Sequence, residues 1–319
     1  MLLEAKNKVA RRWYSYRLTN FRAIIFRFHF LPLYKSLVLF GYFILFFLVL
    51  IYNSGMKILC PNCKEQLINY EKTYKCKNNH CFDVAKEGYV NLILANMKKS
   101  KNPGDNVDMV RARADFLLGG YYEALSQEIN KIINDKKAEN ILDVGCCEGY
   151  YTHRLDKHLM YPHNIIGLDI SKDSVKFAAR KDDCCKYLVA SSKELPIEDS
   201  CVDVIINNFA PHNEDEFLRV LKPGGIVIKV TPAPEHLVGL KNLLFENVEI
   251  KEPSKVFEKF ELIKDYVLDY EIDVEGENIL NLLKMTPFYY KSSLNNHEKL
   301  KSVEILRTKV AFNIRIYKK

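Results

Sequence analysis

The stretch Ile141–Tyr151, Ile-Leu-Asp-Val-Gly-Cys-Cys-Glu-Gly-Tyr-Tyr, constrains this chain more than any other. Its apolar residues and Asp143 read as a short strand, and a turn of small residues then opens into a helical pattern. Such a turn lets backbone N–H groups and a helix N-terminus approach a ligand closely. Gly145 and Gly149 supply the steric freedom, and Asp143 and Glu148 are expected to bring carboxylates to the same crevice. Carboxylates there disfavour a phosphate and suit a ligand carrying an amine or a sulfonium. A glycine turn alone is weak grounds for a ligand site, so the surrounding chain has to decide.

After residue 121 strand and helix patterns alternate. Ile141–Val144, Ile165–Asp169, Tyr187–Ala190, Val202–Asn207 and Ile226–Thr231 read as strands, with helices over Ser171–Arg180 and Glu214–Leu221. This βα succession predicts an α/β fold with a doubly wound, Rossmann-like sheet. Asp169 ends the second strand, roughly twenty positions after the turn, where a carboxylate meets ribose hydroxyls. The plainer reading is a helix cap, although Ser171 could cap that helix and leave Asp169 free. No acid follows the third strand at Ala190-Ser-Ser192, where an adenine-contacting polar group commonly sits. The fourth strand runs into Asn207-Asn-Phe-Ala-Pro211, which resembles the substrate loop of methyltransferases acting on ring or exocyclic nitrogens. Asn208 could accept from an N–H group and Phe209 could stack on a base, or the pair could be a capping Asn and a packed Phe.

Upstream, Cys60-Pro-Asn-Cys63 and Cys76-Lys-Asn-Asn-His80 are two short ligand pairs twelve residues apart. Each pair closes a knuckle, and four converging ligands fit tetrahedral zinc. The expected metal ligands are Cys60, Cys63, Cys76 and His80, with Cys81 as an alternative fourth. Between the knuckles, 65–75 can form a hairpin too small to fold without the metal. Of the nine cysteines four fall in 60–81, which favours metal and free thiols over disulfides.

The net charge of +7 dissolves on inspection. Residues 1–55 hold eight Lys and Arg against Glu4 alone, and the remainder carries 39 of each sign. Within that remainder, 57–101 has nine Lys against four acids, a +5 segment attached to a −5 one. A compact basic module suits RNA, and Arg111 and Arg113 on a helix pattern over 108–118 are expected to add to it. Ser36–Tyr52 is free of charge and at the short end of a membrane span. As an anchor, with its basic flank held inside, it would export a domain of reducing, cofactor-using type. The preferred expectation is therefore a cytoplasmic protein in which 1–55 is a dispensable extension or mis-assigned start, with Met56 as the natural beginning.

The turn Asp143-x-Gly145-x-x-x-Gly149 resembles the first motif of class I S-adenosylmethionine-dependent methyltransferases, with Cys147 where a middle glycine is usual. Cys60–His80, Ala85-Lys-Glu-Gly-Tyr-Val-Asn-Leu92 and Pro103-Gly-Asp105 closely resemble the bacterial 23S rRNA (guanine-N1)-methyltransferases. The similarity continues through Gly167-Leu-Asp-Ile-Ser-Lys172, Lys222-Pro-Gly-Gly225, Met285-Thr-Pro-Phe288 and Phe312-Asn-Ile314, covering 56–319 and none of 1–55. The resemblance implies a zinc-binding, RNA-recognising module over 56–101, a linker and helix over 102–120, and a methyltransferase domain over 121–319. It implies S-adenosylmethionine held against Gly145, Gly149 and Asp169, with Tyr122, Cys147, Glu148 and His236 around it. It also implies zinc, a stem-loop of 23S rRNA as substrate, and a homodimer. No His/Asp pair advertises itself as the base that takes the guanine N1 proton. The rivals are a methyltransferase of small molecules or proteins, and a non-catalytic RNA-binding protein in which Cys147 closes the pocket.

Overall fold

The protein is described by a computed structural model over residues 55–94, 103–181, 184–248 and 257–319. The N-terminal extension, with its apolar run 36–52, lies outside the described residues, as do the lysines at 98, 99 and 101. Residues 56–319 form one compact unit. Among the described residues no helix is long and apolar enough to cross a membrane.

A small antiparallel sheet comes first: β1 (Ile68–Tyr70), β2 (Thr73–Lys75) and β3 (Cys81–Asp83), in that order. The hairpin expected between the knuckles is β1–β2, and Glu71 takes the left-handed conformation (φ 57°) that reverses the chain. Next come β4 (Val90–Asn91), α1 (Val107–Leu118), α2 (Glu123–Lys136), β5 (Asn140–Val144), α3 (Tyr150–His158), β6 (Asn164–Asp169), α4 (Lys172–Lys181), β7 (Lys186–Val189) and β8 (Val202–Asn208). The chain closes with α5 (Glu214–Val220), β9 (Leu221–Pro232), α6 (Val238–Leu244), β10 (Glu261–Glu275), α7 (Glu277–Lys284), α8 (Phe288–Lys291), α9 (Leu294–Lys301) and β11 (Ile305–Lys318).

The large sheet has eight strands in the order β10-β11-β9-β8-β5-β6-β7-β4. From β5 the order runs outward through β6 and β7 on one side and through β8 and β9 on the other, all parallel, which is the doubly wound arrangement. Its switch point lies between β5 and β8, and ligands of such sheets bind at the carboxyl ends of the strands there. All five residues of β5 are buried, as a strand covered on both faces requires.

The two faces are covered differently. One carries the apolar sides of α1 to α4, α6, α7 and α9, with Phe116, Ile129, Leu155, Val175, Leu240 and Ile279 in its core. The other is covered by α5 and by the cysteine module. Ile58, Cys60, Leu67, Tyr74 and Cys76 share a core with Leu142, Val144, Leu188 and Ile205. The Lys-Glu-Gly-Tyr-Val-Asn segment, which has no assigned element in the sequence pattern, supplies β4, paired in parallel with β7 at the edge of the large sheet. An isolated bridge joins Ile58 to Ile197, and Lys57 pairs with Glu198 at 3.0 Å. The module is thus joined to the large sheet through β4, the Ile58–Ile197 bridge and a shared core.

Candidate active site and metal centre

Between β5 and α3 the chain turns through three left-handed residues, Gly145 (φ 85°), Cys147 (φ 49°) and Gly149 (φ 79°). A Cβ on Gly145 would sit deep inside the van der Waals radius of the Ala210 methyl group, so the loop after β8 packs directly on the turn. Gly145 and Cys146 both donate their N–H groups to the Leu168 carbonyl, at 2.8 and 3.1 Å, which ties the turn to β6. Cys147 keeps its left-handed backbone without being glycine, a conformation that costs an L-residue about 1–2 kcal/mol. Its N–H donates to Asp169 Oδ2 at 3.1 Å, and its sulfur lies near Ser174 Oγ and Asp105 Oδ2.

The two acids of the turn part company. Asp143 is engaged by the helix that follows the turn. It is buried and accepts from Thr152 Oγ on α3 at 2.6 Å, and burial pushes its pKa up to about 7. Glu148 is 1% exposed, and its Oε2 has no hydrogen-bond partner. The nearest opposite charge is Arg113 Nε at 3.8 Å. Arg113 is thereby removed from the RNA-facing surface expected of it. Its Nη2 donates to Asp105 Oδ2 at 2.5 Å and to the Met285 carbonyl at 3.4 Å, whereas Arg111 stays exposed. Asp105 comes from the Pro-Gly-Asp segment, which is pressed against β6 and α4: Ser171 Oγ donates to the Asp105 carbonyl at 2.7 Å. The sequence pattern marks this segment without giving Asp105 a role. The signal available is its position just before Asn106, whose side chain caps α1 by accepting from Met109 N–H.

Asp169 serves as a local anchor and keeps spare acceptor capacity. Its Oδ1 accepts from Ser171 N–H at 2.8 Å and its Oδ2 from Cys147 N–H, while Ser171 Oγ caps α4 through Ser174 N–H. Each carboxylate oxygen retains a second lone pair. Burial raises the Asp169 pKa to about 6.

Asn207, Asn208 and Phe209 divide the roles expected of the substrate loop. Asn207 is structural: it donates to the carbonyls of Val144 and Pro211 and accepts from the buried Lys229 at 2.9 Å. Asn208 keeps a buried Oδ1 without a partner. Phe209 takes a left-handed backbone (φ 53°), and its ring is 41% exposed. That ring leans on His236 (5.8 Å) and Phe312 (6.0 Å). His236 Nδ1 accepts from Ala311 N–H, so the other nitrogen carries the proton and faces Tyr122 Oη at 3.4 Å. Burial holds that imidazole neutral, its pKa lowered to about 3. Tyr122 and His236 therefore form a buried aromatic buttress behind Phe209.

The metal ligands converge. One ligand atom from each of Cys60, Cys63, Cys76 and His80 lies within 4.8 Å of every other. Cys63 and Cys76 sulfurs are 3.7 Å apart, and His80 Nδ1 is 3.5 and 3.4 Å from the sulfurs of Cys60 and Cys76. Zinc–sulfur bonds of about 2.3 Å give a tetrahedral edge of roughly 3.8 Å, so the spacing is that of a metal tetrahedron. The backbone N–H of Glu65 holds the Cys63 thiol down at about 6, which favours the ligating thiolate. Cys81 is exposed, with its sulfur on the Asn79 carbonyl, outside this cluster.

Comparison with known proteins joins the two sites. Residues 58–101 match the zinc-ribbon family model described as RlmA, N-terminal, and residues 142–229 match a methyltransferase domain. The 23S rRNA (guanine(748)-N(1))-methyltransferase of Streptomyces fradiae is 34% identical over 197 residues, covering 60% of this chain and 69% of the relative. A Bacillus subtilis protein given the same class of name is 28% identical over 265 residues, covering 77% of this chain and 91% of that one. By contrast, a malonyl-[acyl-carrier protein] O-methyltransferase of Pectobacterium atrosepticum matches over only 100 residues. A zinc tetrahedron built into the same compact unit as the glycine-turn crevice, in a chain this similar to those relatives, makes this protein a member of the 23S rRNA (guanine-N1)-methyltransferase family.

Proposed function

We propose that the protein transfers a methyl group from S-adenosylmethionine to N1 of a guanine in a stem-loop of 23S rRNA. The observation that carries this reading is the joining of the zinc-ligand cluster to the glycine-turn sheet. A generic methyltransferase needs only the second of these. The site's donor set fits the cofactor: a left-handed turn allows close approach, Asp169 keeps free lone pairs for hydroxyls, and buried polar atoms at Glu148 and Asn208 lack partners. We assign Gly145, Cys147 and Gly149 to the turn that cradles the cofactor, Asp169 to its ribose and Glu148 to its charged end. Tyr122 and His236 act as the buttress of Phe209. The zinc is assigned to Cys60, Cys63, Cys76 and His80.

When bound, the cofactor supplies an electrophilic methyl on a sulfonium, and the chain's part is chiefly positioning. Phe209 offers a stacking face for an unstacked guanine, and Asn208 Oδ1 can accept from its N1–H or exocyclic N–H. His236 already spends its acceptor Nδ1 on the Ala311 N–H and burial lowers its pKa, which makes it a poor base, so the guanine N1 proton leaves by another acceptor. The homodimer belongs to this reading too, supported by β10, which among the described residues is an edge strand of the large sheet and exposes Leu262, Ile263 and Val267. We assign the protein to the cytoplasm, where rRNA, S-adenosylmethionine and reduced thiols coexist, and regard 1–55 as dispensable for this activity. Methylation of a 23S rRNA hairpin by the purified protein, mapped by nuclease digestion and mass spectrometry, tests the proposal. A modified small molecule or protein in place of guanine N1 would sink it.

RNA binding narrows to part of the basic module. Lys57 and Lys64 are drawn to Glu198 and Glu194, and Lys77 to Glu65. Lys72 and Lys75 remain exposed beside Ile68 (44% exposed) and Tyr70 (60% exposed) on the hairpin. Because β4 belongs to the large sheet, point substitutions are the right probe rather than deletion of 56–101. Tyr70→Ala should weaken hairpin binding by about 1–3 kcal/mol if a base stacks there. Lys72→Ala with Lys75→Ala should flatten the slope of log K against log salt by roughly 0.7 for each phosphate no longer neutralised. Fluorescence polarisation across a salt series reads both, and unchanged slopes would remove the hairpin from the interface.

The Asp169 pKa sets a pH dependence. Ribose hydroxyls donate to the ionised carboxylate, so S-adenosylhomocysteine affinity should be full above about pH 7 and decline as pH falls through 6. Asp169→Asn should weaken binding by roughly tenfold, since bonds to a charged group are worth about 1.5–3 kcal/mol, and should level the pH profile. A variant that retains the wild-type profile would reduce Asp169 to an anchor of the turn.

A further inference from the structure

We infer that Lys229 is a positioning residue for methyl transfer, its buried amine clamping the two ends of the loop that presents Asn208 and Phe209. The inference rests on the reading above, in which that loop receives the target base, and deepens it. Lys229 lies on β9 opposite Asn207 of β8 and is 4% exposed. Val227, two positions earlier, belongs to the core shared with the cysteine module and α5, whereas Ile228 and Val230 belong to the other core. Strand alternation therefore turns Lys229 toward the module side of the sheet, into a buried position that ordinarily takes an aliphatic residue.

Among the described residues Lys229 has two hydrogen-bond partners, and neither is a carboxylate. Its Nζ donates to Asn207 Oδ1 at 2.9 Å and to His212 Nδ1 at 3.1 Å. Arg315, its register neighbour on β11, adds a like charge and directs its own Nε to Asp265. Glu214 Oε2 accepts instead from the N–H groups of Glu258 and Lys259. Burial lowers the Lys229 pKa to about 8, and the Arg315 charge adds to the shift. A buried amine with no carboxylate beside it is a costly way to hold a core together. What its two bonds do hold is the pair of residues bracketing 208–211. Asn207 passes the constraint on by donating to the carbonyls of Val144 and Pro211. Burial and the Lys229 charge lower the His212 pKa, which leaves Nδ1 an acceptor. The Phe257 ring, 5.1 Å from Nζ, packs over the amine. Between the two anchors Phe209 and Pro211 are exposed, as is His212 itself, so the loop depends on its ends for its position.

Hydrogen exchange and steady-state methylation of a 23S rRNA hairpin test the clamp together. Lys229→Met keeps most of the side-chain volume and removes the donors. It should speed amide exchange across 208–212, lower kcat roughly tenfold or more, and leave KM for the hairpin within about threefold. Two variants at the exposed His212 decide the matter where Lys229→Met does not fold. His212→Asn places an acceptor near the position of Nδ1 and should keep kcat within about twofold, whereas His212→Ala should lose more. In the Lys229→Met background His212→Ala should cost nothing further, because the contact it removes is already gone. Additive losses, or unchanged exchange across 208–212 in Lys229→Met, would overturn the clamp. Faster exchange with kcat unaltered would reduce Lys229 to a residue of the core. A wild-type protein that leaves the hairpin unmethylated would instead defeat the methyl-transfer reading, and the exchange rates would still decide whether Lys229 holds the loop.

Discussion

Gly145→Ala lowers the melting temperature by roughly 5–15 °C and weakens S-adenosylhomocysteine at least tenfold, and Ala210→Gly in the same chain restores only part of either loss. Two separate costs lie behind this expectation. The left-handed backbone at φ 85° penalises any L-residue by about 1–2 kcal/mol. The new methyl group also drives into the Ala210 methyl, and overpacking of this kind costs about 1–3 kcal/mol. For a domain of this size each kcal/mol is worth roughly 2–4 °C. Removing the Ala210 methyl relieves the collision and leaves the backbone penalty, so the double variant divides the two. Cofactor affinity suffers with stability because relief of the clash must move either the turn or the Asn208–Phe209 loop. Calorimetry and thermal melts of the two single variants and the double variant check this. Full recovery in the double variant would mean that backbone strain at Gly145 is negligible.

Loss of the metal should destabilise all of 56–319 in a single transition. From the sequence, Cys76→Ser is expected to unfold a tethered module and spare the later domain. In the structure Cys60, Cys76, Leu67 and Tyr74 lie in one core with Leu142, Val144, Leu188 and Ile205, and β4 completes the edge of the large sheet. Structural zinc supplies about 10–16 kcal/mol in small zinc-dependent peptides. That is comparable to the whole stability of an ordinary domain, about 5–15 kcal/mol. With no zinc the module cannot hold its side of the shared core, and the exposed face of β5, β7 and β8 loses its cover. Cys76→Ser and chelation should therefore give one cooperative melt at much lower temperature, followed by near-ultraviolet circular dichroism with metal content measured in parallel. Cys81→Ala should retain zinc in full, since its thiol lies outside the cluster. Two separable melts, with the upper one unmoved, would restore the picture of an independent module.

What the sequence by itself determined is local chemistry at short spacing. The strand–turn–helix at Ile141–Tyr151, the parallel βα order and the four-ligand knuckles all follow from residues within a few positions of one another. Backbone conformation and ligand convergence on that scale are dictated by residue type: glycine for left-handed turns, paired Cys and His for a metal. Ser171 and Asp169 show the limit of this, because both act at the start of α4 and spacing could not apportion the work. Everything decided by charges far apart in the chain waited for the tertiary structure. Arg113 looks like a solvent-facing helix residue until Asp105 and Glu148 are folded against it, and Lys57 and Lys64 look free until Glu198 and Glu194 come to them. Asp143 looks like an unengaged carboxylate of the turn by position, yet Thr152 on α3 donates to it in the interior. The module looks separable because composition changes after residue 101, whereas its Val90 and Leu92 pack into the later sheet. Ion pairing and burial depend on which surfaces meet, and that is set by the packing of the whole unit rather than by any stretch of it.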